Sequence, residues 1–347
     1  MKDSKGEKSI SRLPSRRDFL KTGVALGLSG IGGKAVAKGS SRVTLYTSMP
    51  SKYSNPAVKI FNDLNTGVHV DLFYSTTYQV LQRVIAETSA NRLIADIMLI
   101  ADPGPYLDLK ARGELLDYVT PHIDMYPPGQ RDVDGLWVNG RTIATIFAFN
   151  HRVLSINDAP KSWAEFADAD WMNMLGAMDV RQGGTAYSWY YSTRSHPDLG
   201  LRWWKKLAKT NLVLTRGHGA LMDRMVAGEL PITEQLDYYV WEKVRNKKAP
   251  VTPVYPPEVI PISLAPIAIL RRGPNNEGAK VFYDWWLSKH GQETIAGING
   301  IYSPRSDVAP LPGKPPFNSL NTMDIDLTEF SKSREALQKE FTQIFGL

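Results

Sequence analysis

The chain has 347 residues, enough for two or three folding units or for one two-lobed protein. Its 43% hydrophobic and 22% charged residues fit a globular protein with a real core, and nine Trp and fifteen Tyr imply large buried aromatic contacts or a cleft with aromatic walls. It has no cysteine, which excludes disulfides, thiolate zinc sites, iron–sulfur clusters and a cysteine nucleophile.

The N-terminal stretch "SRRDFLKTGVALGLSGIGGKAVAKGSS" has three parts: a basic segment ending in Arg16-Arg17, an apolar run of small residues from Thr22 to Gly33, and Ala35-Val36-Ala37 as a small-x-small cleavage site. The run is too short and too glycine-rich to span a bilayer. The paired arginines in "SRRDFLK" resemble the twin-arginine export motif. The expectation is a signal peptide over residues 1–37, cleaved near Ala37, and a periplasmic mature chain. The formal charge of the whole chain is +6, but residues 1–37 hold eight of its 41 basic and three of its 35 acidic residues. The mature chain keeps 33 against 32, a net +1, so the basic balance belongs mostly to the export segment and nucleic-acid binding is not expected.

After the signal, strand and helix patterns alternate. "RVTLYTS" (42–48) reads as a strand, and "NPAVKIFNDLN" (55–65) as a helix with Val58, Phe61 and Leu64 on one face. "VHVDLFYS" (68–75) is strand-like and "YQVLQRVIAETSA" (78–90) helical. The near-continuous apolar run "ADIMLIAD" (95–102) fits a buried parallel strand, and "YLDLKARGELL" (106–116) a helix that Gly113 can stop. "DGLWVNGRTIATIFAFN" (134–150) carries DG and NG turn signals between apolar runs and predicts a strand crossing to a second lobe. From about 150 to 255 the α/β alternation repeats: "SWAEFAD", the strand "LGAMDV" ending in "RQGGTA", "YSWYYSTRS", "LRWWKKLAK", "HGALMDRMVAGE", the strand "LPITEQ" and the helix "LDYYVWEKVRNKK". "RWWKK" reads as a core face with solvated lysines. The proline-rich stretch 250–273 predicts a return connection and a strand, "GAKVFYDWWLSKHGQETIAGING" two helices, and "LTEFSKSREALQKEFTQIF" one terminal helix. The predicted fold is α/β and two-lobed, with a mixed sheet in each lobe and a cleft between them. Lobe 1 covers 38–148, lobe 2 covers 149–258, and 259–347 returns to lobe 1 and adds the C-terminal helices. Ligands favour such interfaces and the carboxyl ends of parallel strands.

No G-x-S-x-G or H-E-x-x-H occurs, and the six histidines are scattered without metal-ligand spacing, so an enzyme is not expected and an exported enzyme is only a distant alternative. The ordered segments "VTLYTS", "ADIMLIADPG", "LLDYVTP", "DGLW", "KSWAEFAD", "RQGGTA", "VAGELPITEQLDYY" and "AKVFYDWWLSKHGQETIAG" together resemble the periplasmic solute-binding proteins of ABC transporters, in the ferric-ion-binding branch, over about Val43 to Pro304. The resemblance implies a Venus-flytrap protein that needs no cofactor, acts as a monomer and hands a small ligand to a permease in the inner membrane.

The resemblance also implies a site. The branch carries an adjacent tyrosine pair, which maps onto Tyr238 and Tyr239; its carboxylate ligand falls at Ala101, with Asp102 one residue on. No histidine follows the first strand, where Ser48 or Tyr53 could face the cleft. A synergistic anion would sit at "RQGGTA", with Arg181, Gly183, Gly184 and Thr185, and His218 stands at another predicted helix start. Phenolates suit a hard Fe(III) ion, and helix N-terminal amides suit an anion. The leading ligand is therefore Fe(III) with a synergistic anion. The alternative is a small organic anion, such as a sugar phosphate or phosphonate, bound without metal.

Plainer readings stand beside these. Projected at helical spacing, Leu236, Val240, Trp241 and Val244 form the apolar stripe of "LDYYVWEKV", and both tyrosines fall outside it. Asp102 can equally cap the following helix, and "GGT" can be a turn and cap.

Overall fold

The computed structural model describes residues 41–245 and 249–347, so the predicted signal peptide lies outside the described residues. The first lobe opens with β1 (Ser41–Thr47), α1 (Ser51–Asp63), β2 (Val68–Tyr74), α2 (Thr77–Ser89), β3 (Ile97–Leu99) and α3 (Gly104–Ala111). The long β4 (Val138–Asn150) leads into the second lobe: α4 (Trp163–Phe166), β5 (Leu175–Met178), α5 (Gly184–Ser195), α6 (Gly200–Leu207), β6 (Val213–Thr215), α7 (His218–Ala227), β7 (Ile232–Leu236), α8 (Asp237–Arg245) and β8 (Val251–Val254). The chain returns through β9 (Ile262–Ile269), α9 (Asn276–Leu287) and α10 (Lys289–Asn299), and ends in α11 (Leu327–Lys332) and α12 (Arg334–Phe345). Among the described residues no helix is long and apolar enough to cross a membrane.

The strands run in the order β2-β1-β3-β9-β4-β7-β5-β6, with β8 also on β4. β1 is parallel to β2 and β3, while β9 is antiparallel to β3 and β4. Beyond β4, β5 is parallel to β6 and β7, and β7 is antiparallel to β4. Each half is thus a mixed sheet, as expected. β4 joins them: its residues up to Ala144 pair with β9, and those from Thr145 pair with β7. The switch comes slightly before the predicted crossing near 148.

Strand periodicity sorts the first lobe's core onto two faces of its sheet. Leu45, Ile97, Leu99, Ile267 and Ile269 pack with Phe61, Phe282 and Trp286 from α1 and α9, while Tyr46, Met98, Ala268 and Leu270 pack with Val80, Val84 and Tyr106 from α2 and α3. The second lobe is built on aromatics: Trp163, Trp189, Trp203 and Trp204 surround Phe147, Phe149 and Leu175. Most tryptophans therefore make core contacts rather than a cleft wall, and "RWWKK" is the core face with solvated lysines.

Four expectations need correction. The Asn139-Gly140 pair is not a turn. Gly140 stays in β4 because Leu99 and Trp286 leave no room for a side chain: a Cβ there would lie 2.9 Å from Leu99 Cδ1 and 3.0 Å from Trp286 Nε1. Asn139 spends its amide on Gln130 Oε1 and Thr142 Oγ1 and accepts from Ala265 N. The "ADIMLIAD" run yields only three strand residues, Ile97–Leu99. The short β6 comes from the apolar run "LVLT" between two helices, which the sequence reading passes over. The terminal segment is two helices, broken at Ser333, and they bridge the lobes: Phe330 and Phe341 lie in the second lobe's core, while Leu327 packs against the first lobe's.

Opposite Pro266, β4 carries a bulge. Asn139 pairs with Pro266 and Thr142 with Leu264, so β4 spends one extra residue there. A proline on an interior strand is accommodated at such an irregularity, and a bulge re-aims side chains. Arg141 is the residue re-aimed.

Candidate functional site

The cleft holds a pocket of about 110 Å³, room for several waters or one compact ligand. The first lobe contributes Ser48 after β1, Tyr74, Thr76 and Thr77 at the β2–α2 turn, Ala101 after β3, and Arg141 from the bulge. The second contributes Gln182, Gly183 and Thr185 at the start of α5, Arg216, Gly217 and His218 at the start of α7, and Tyr238 and Tyr239 in the first turn of α8.

Helix ends dominate this wall. The residues preceding α2, α5 and α7 (Thr76, Gly183 and Gly217) are extended, and none closes its helix with a side-chain cap. Three sets of free N–H groups and three positive dipole ends therefore meet at one pocket, a ready environment for an anion.

Arg141 adds charge. The residue is 1% exposed, and its Nε and Nη1 have no hydrogen-bond partner. Desolvating a cation without satisfying its donors is costly, so such a group marks a place where a partner belongs. Its guanidinium lies beside Tyr238, where it partly offsets the burial that pushes that phenol up to about 12. Burial, reinforced by Tyr238, also raises Tyr239 well above the ordinary tyrosine value. Both phenols are protonated at neutral pH and can donate hydrogen bonds. Among the described residues no carboxylate lines the pocket.

Six of the nine sequence-predicted residues line this pocket: Ser48, Gly183, Thr185, His218, Tyr238 and Tyr239. Ser48 is tied down by accepting from Ala101 N at 3.0 Å. His218 Nε2 is held 2.9 Å from Glu234 Oε1, and the other oxygen of Glu234 accepts from Met178 N, so the histidine ring has a fixed pose. The other three lie off the lining. Gly184 is the contact point of the lobes, where an added Cβ would sit 2.0 Å from Ala101 O. Arg181 folds back on Asp179, with Nη2 2.7 Å from Oδ2. Asp102 accepts from Gly104 N at 3.0 Å, at the start of α3, and pairs with Arg334 at 2.7 Å. Its helix-capping reading thus has a physical basis, and its carboxylate is committed.

Tyr238 corrects the helical projection. The residue is 1% exposed and belongs to the first lobe's core, edge-on to Tyr53 with centroids 5.4 Å apart. A stripe computed for one helix cannot see that its first turn docks against the other lobe. Sequence reasoning also missed Arg141, Arg216, Gln182 and the Thr76-Thr77 turn. The signal for Arg141 was available: a lone cation inside the apolar strand "TIATIF" region of "NGRTIATIF".

A larger cavity of about 420 Å³ opens beside Pro103, Pro128, Phe317, Met323 and Phe330. Among the described residues no cation lines it, so the chemistry favours the smaller pocket.

A two-lobed α/β fold with an anion-ready cleft between mixed sheets defines a ligand-binding protein. The chain belongs to the bacterial extracellular solute-binding protein family, whose profile matches residues 93–326. Members bind small ligands and work with ABC transporter permeases; the family is one of binding proteins rather than enzymes. The Fe(3+)-binding periplasmic protein of Serratia marcescens is 23% identical over 283 residues, 78% of this chain and 81% of that protein. The fold is shared with iron-bound HitA from Pseudomonas aeruginosa (TM-score 0.76, 19% identity, 87% of this chain and 99% of that one). It is also shared with AfuA from Actinobacillus pleuropneumoniae with fructose-6-phosphate bound (TM-score 0.78, 23% identity, 88% and 99%).

Proposed function

We propose that this chain is the periplasmic ligand-binding component of an ABC importer and that its ligand is a small organic anion, a sugar phosphate or a chemically similar oxyanion. The observation that carries this reading is Arg141: a buried guanidinium that lines a pocket where three helix N-termini converge and no carboxylate intrudes. A phosphoryl group would accept from the Arg141 guanidinium and from the amides at Gly183 and Gly217, while His218, Thr185 and the two phenols address hydroxyls. The relative with bound fructose-6-phosphate supports this class. Export by the twin-arginine signal over residues 1–37, function as a monomer, the absence of a cofactor requirement and delivery to an inner-membrane permease belong to the same proposal.

The second reading is Fe(III) with a synergistic anion. It is favoured by Tyr238 and Tyr239, whose rings lie 4.8 Å apart on the same pocket wall, and by iron-binding relatives. A bound ferric ion would deprotonate the phenols despite their raised pKa values. Asp102 and Arg181 would contribute only if they left Arg334 and Asp179.

Calorimetry on the mature protein separates the two. The expected result is binding of fructose 6-phosphate or a related sugar phosphate at micromolar Kd or tighter, with no visible band on addition of Fe(III). A phenolate-to-iron charge-transfer band that disappears in Tyr238→Phe would instead establish the metal reading.

Closure of the lobes over the ligand makes a further prediction. In Gly184→Ala the new Cβ would strike the Ala101 carbonyl and hold the lobes apart. Ligand affinity should fall at least tenfold, while the unfolding free energy from urea titration stays within about 0.5 kcal/mol of native, since alanine is the better helix former. Native affinity in this variant would show that the contact at Gly184 is dispensable for binding.

A further inference from the structure

Phe330 and Phe341 anchor the last two helices in the second lobe, where they pack with Tyr187, Tyr190 and Trp204. Arg334 begins α12, which Phe341 anchors in that lobe's core, yet its guanidinium ends in the other lobe. Nη2 lies 2.7 Å from both carboxylate oxygens of Asp102, and Nη1 donates to the Tyr78 hydroxyl. The guanidinium is also 4.3 Å from the centroid of the Tyr187 ring, which faces it from the second lobe. The Asp102 side chain is fully buried in this arrangement.

Both first-lobe partners sit next to the ligand wall: Ala101 precedes Asp102, Thr77 precedes Tyr78, and both line the pocket. One side chain from the second lobe thus pins the two first-lobe segments that shape the site. We propose that Arg334 is an interlobe latch, a positioning residue that touches no ligand but holds the closed state and sets how long a ligand stays. The contact exists only while the lobes are together. On opening, both Arg334 and Asp102 lose their partner, and water replaces it. A charge pair formed only on closure acts on dissociation more than on encounter. The proposal rests on the ligand-binding reading for its purpose but not for its test.

The native chain has no cysteine, so a pair introduced at exposed Asp63→Cys in the first lobe and Asp170→Cys in the second labels cleanly. Spin-label distance distributions of the ligand-free full-length mature protein should show a short-distance closed population. Arg334→Gln should reduce that population at least threefold, and Arg334→Lys should recover part of it. Tyr78→Phe, which removes only a hydroxyl, gives a smaller shift in the same direction and serves if Arg334→Gln fails to fold. With fructose 6-phosphate as probe, Arg334→Gln should raise the dissociation rate at least tenfold and leave the association rate within threefold. Identical distance distributions in the native and substituted proteins overturn the latch. Absence of sugar-phosphate binding by the native protein counts against the ligand class only, because the distances are read without ligand.

Discussion

Arg141→Met is expected to lose ligand binding by at least tenfold while making the ligand-free protein more resistant to urea. Both effects come from one buried cation. Arg141 lines the pocket, and its Nε and Nη1 are enclosed without a partner. A bound oxyanion would pair with the guanidinium through a charge-assisted hydrogen bond worth about 1.5–3 kcal/mol, tenfold or more in Kd. Without ligand the enclosed donors are a liability. An apolar side chain of similar length should return about 1–2 kcal/mol of stability. Arg141→Lys keeps the charge but not the planar fork, and should recover little of the affinity. Affinity and stability are measured on one preparation, by calorimetry and urea unfolding. A variant that binds as tightly as native removes Arg141 from the site, and with it the main support for the anion reading.

Lys314→Met should be among the most damaging single substitutions in the chain, at about 3–5 kcal/mol by urea unfolding. Lys314 and Asp237 form an ion pair whose side chains are 1% and 0% exposed. The ammonium also donates to Gly300 O at 2.5 Å and lies 3.5 Å from the Tyr302 ring centroid. Asp237 opens α8 immediately before Tyr238, so the pair also holds the tyrosine turn. Removing the lysine strands a carboxylate in the interior. Adding Asp237→Asn should restore most of the loss, because both charges are then gone. The deficit has a pH signature. Burial already pushes the Asp237 carboxyl up, with Lys314 opposing that shift. Without Lys314 its folded pKa rises further above the unfolded value, so the folded state holds a proton that the unfolded state releases. Stability of the variant is then best below about pH 4, near the unfolded carboxyl pKa, and falls as pH rises toward the folded value. The gap to native should be wider at pH 8 than at pH 5, and a gap independent of pH would assign the damage to packing alone.

Much of the fold was legible because it rests on local periodicity. The strand Val68–Tyr74 and helices such as Thr77–Ser89 and His218–Ala227 each turn one face inward, and their patterns say so. Misreadings arose where tertiary contacts overrule local chemistry. Asn139-Gly140 carries a turn signature, but the glycine is there to admit Trp286 and the asparagine to bridge β4 and β9. The pocket was partly legible for a similar reason. Glycines and threonine before a helix, as in Gly183–Thr185, announce free amides. Arg141 depends on a bulge set by Pro266, and Asp102 on Arg334, 232 positions away. No window of sequence contains either relation.

The position of β9 has a consequence for how the polypeptide is made. In the first lobe's sheet β9 lies between β3 and β4, although β3 ends at Leu99 and β9 begins only at Ile262. A nascent chain therefore displays β1, β2 and β3 with an unfilled edge, and that edge stays open while the whole second lobe is synthesised. The second lobe also waits, since its aromatic core takes Phe330 and Phe341 from the last helices. Neither lobe can be finished on the ribosome before the chain is nearly complete. Such long-range pairing makes for slow folding as one unit.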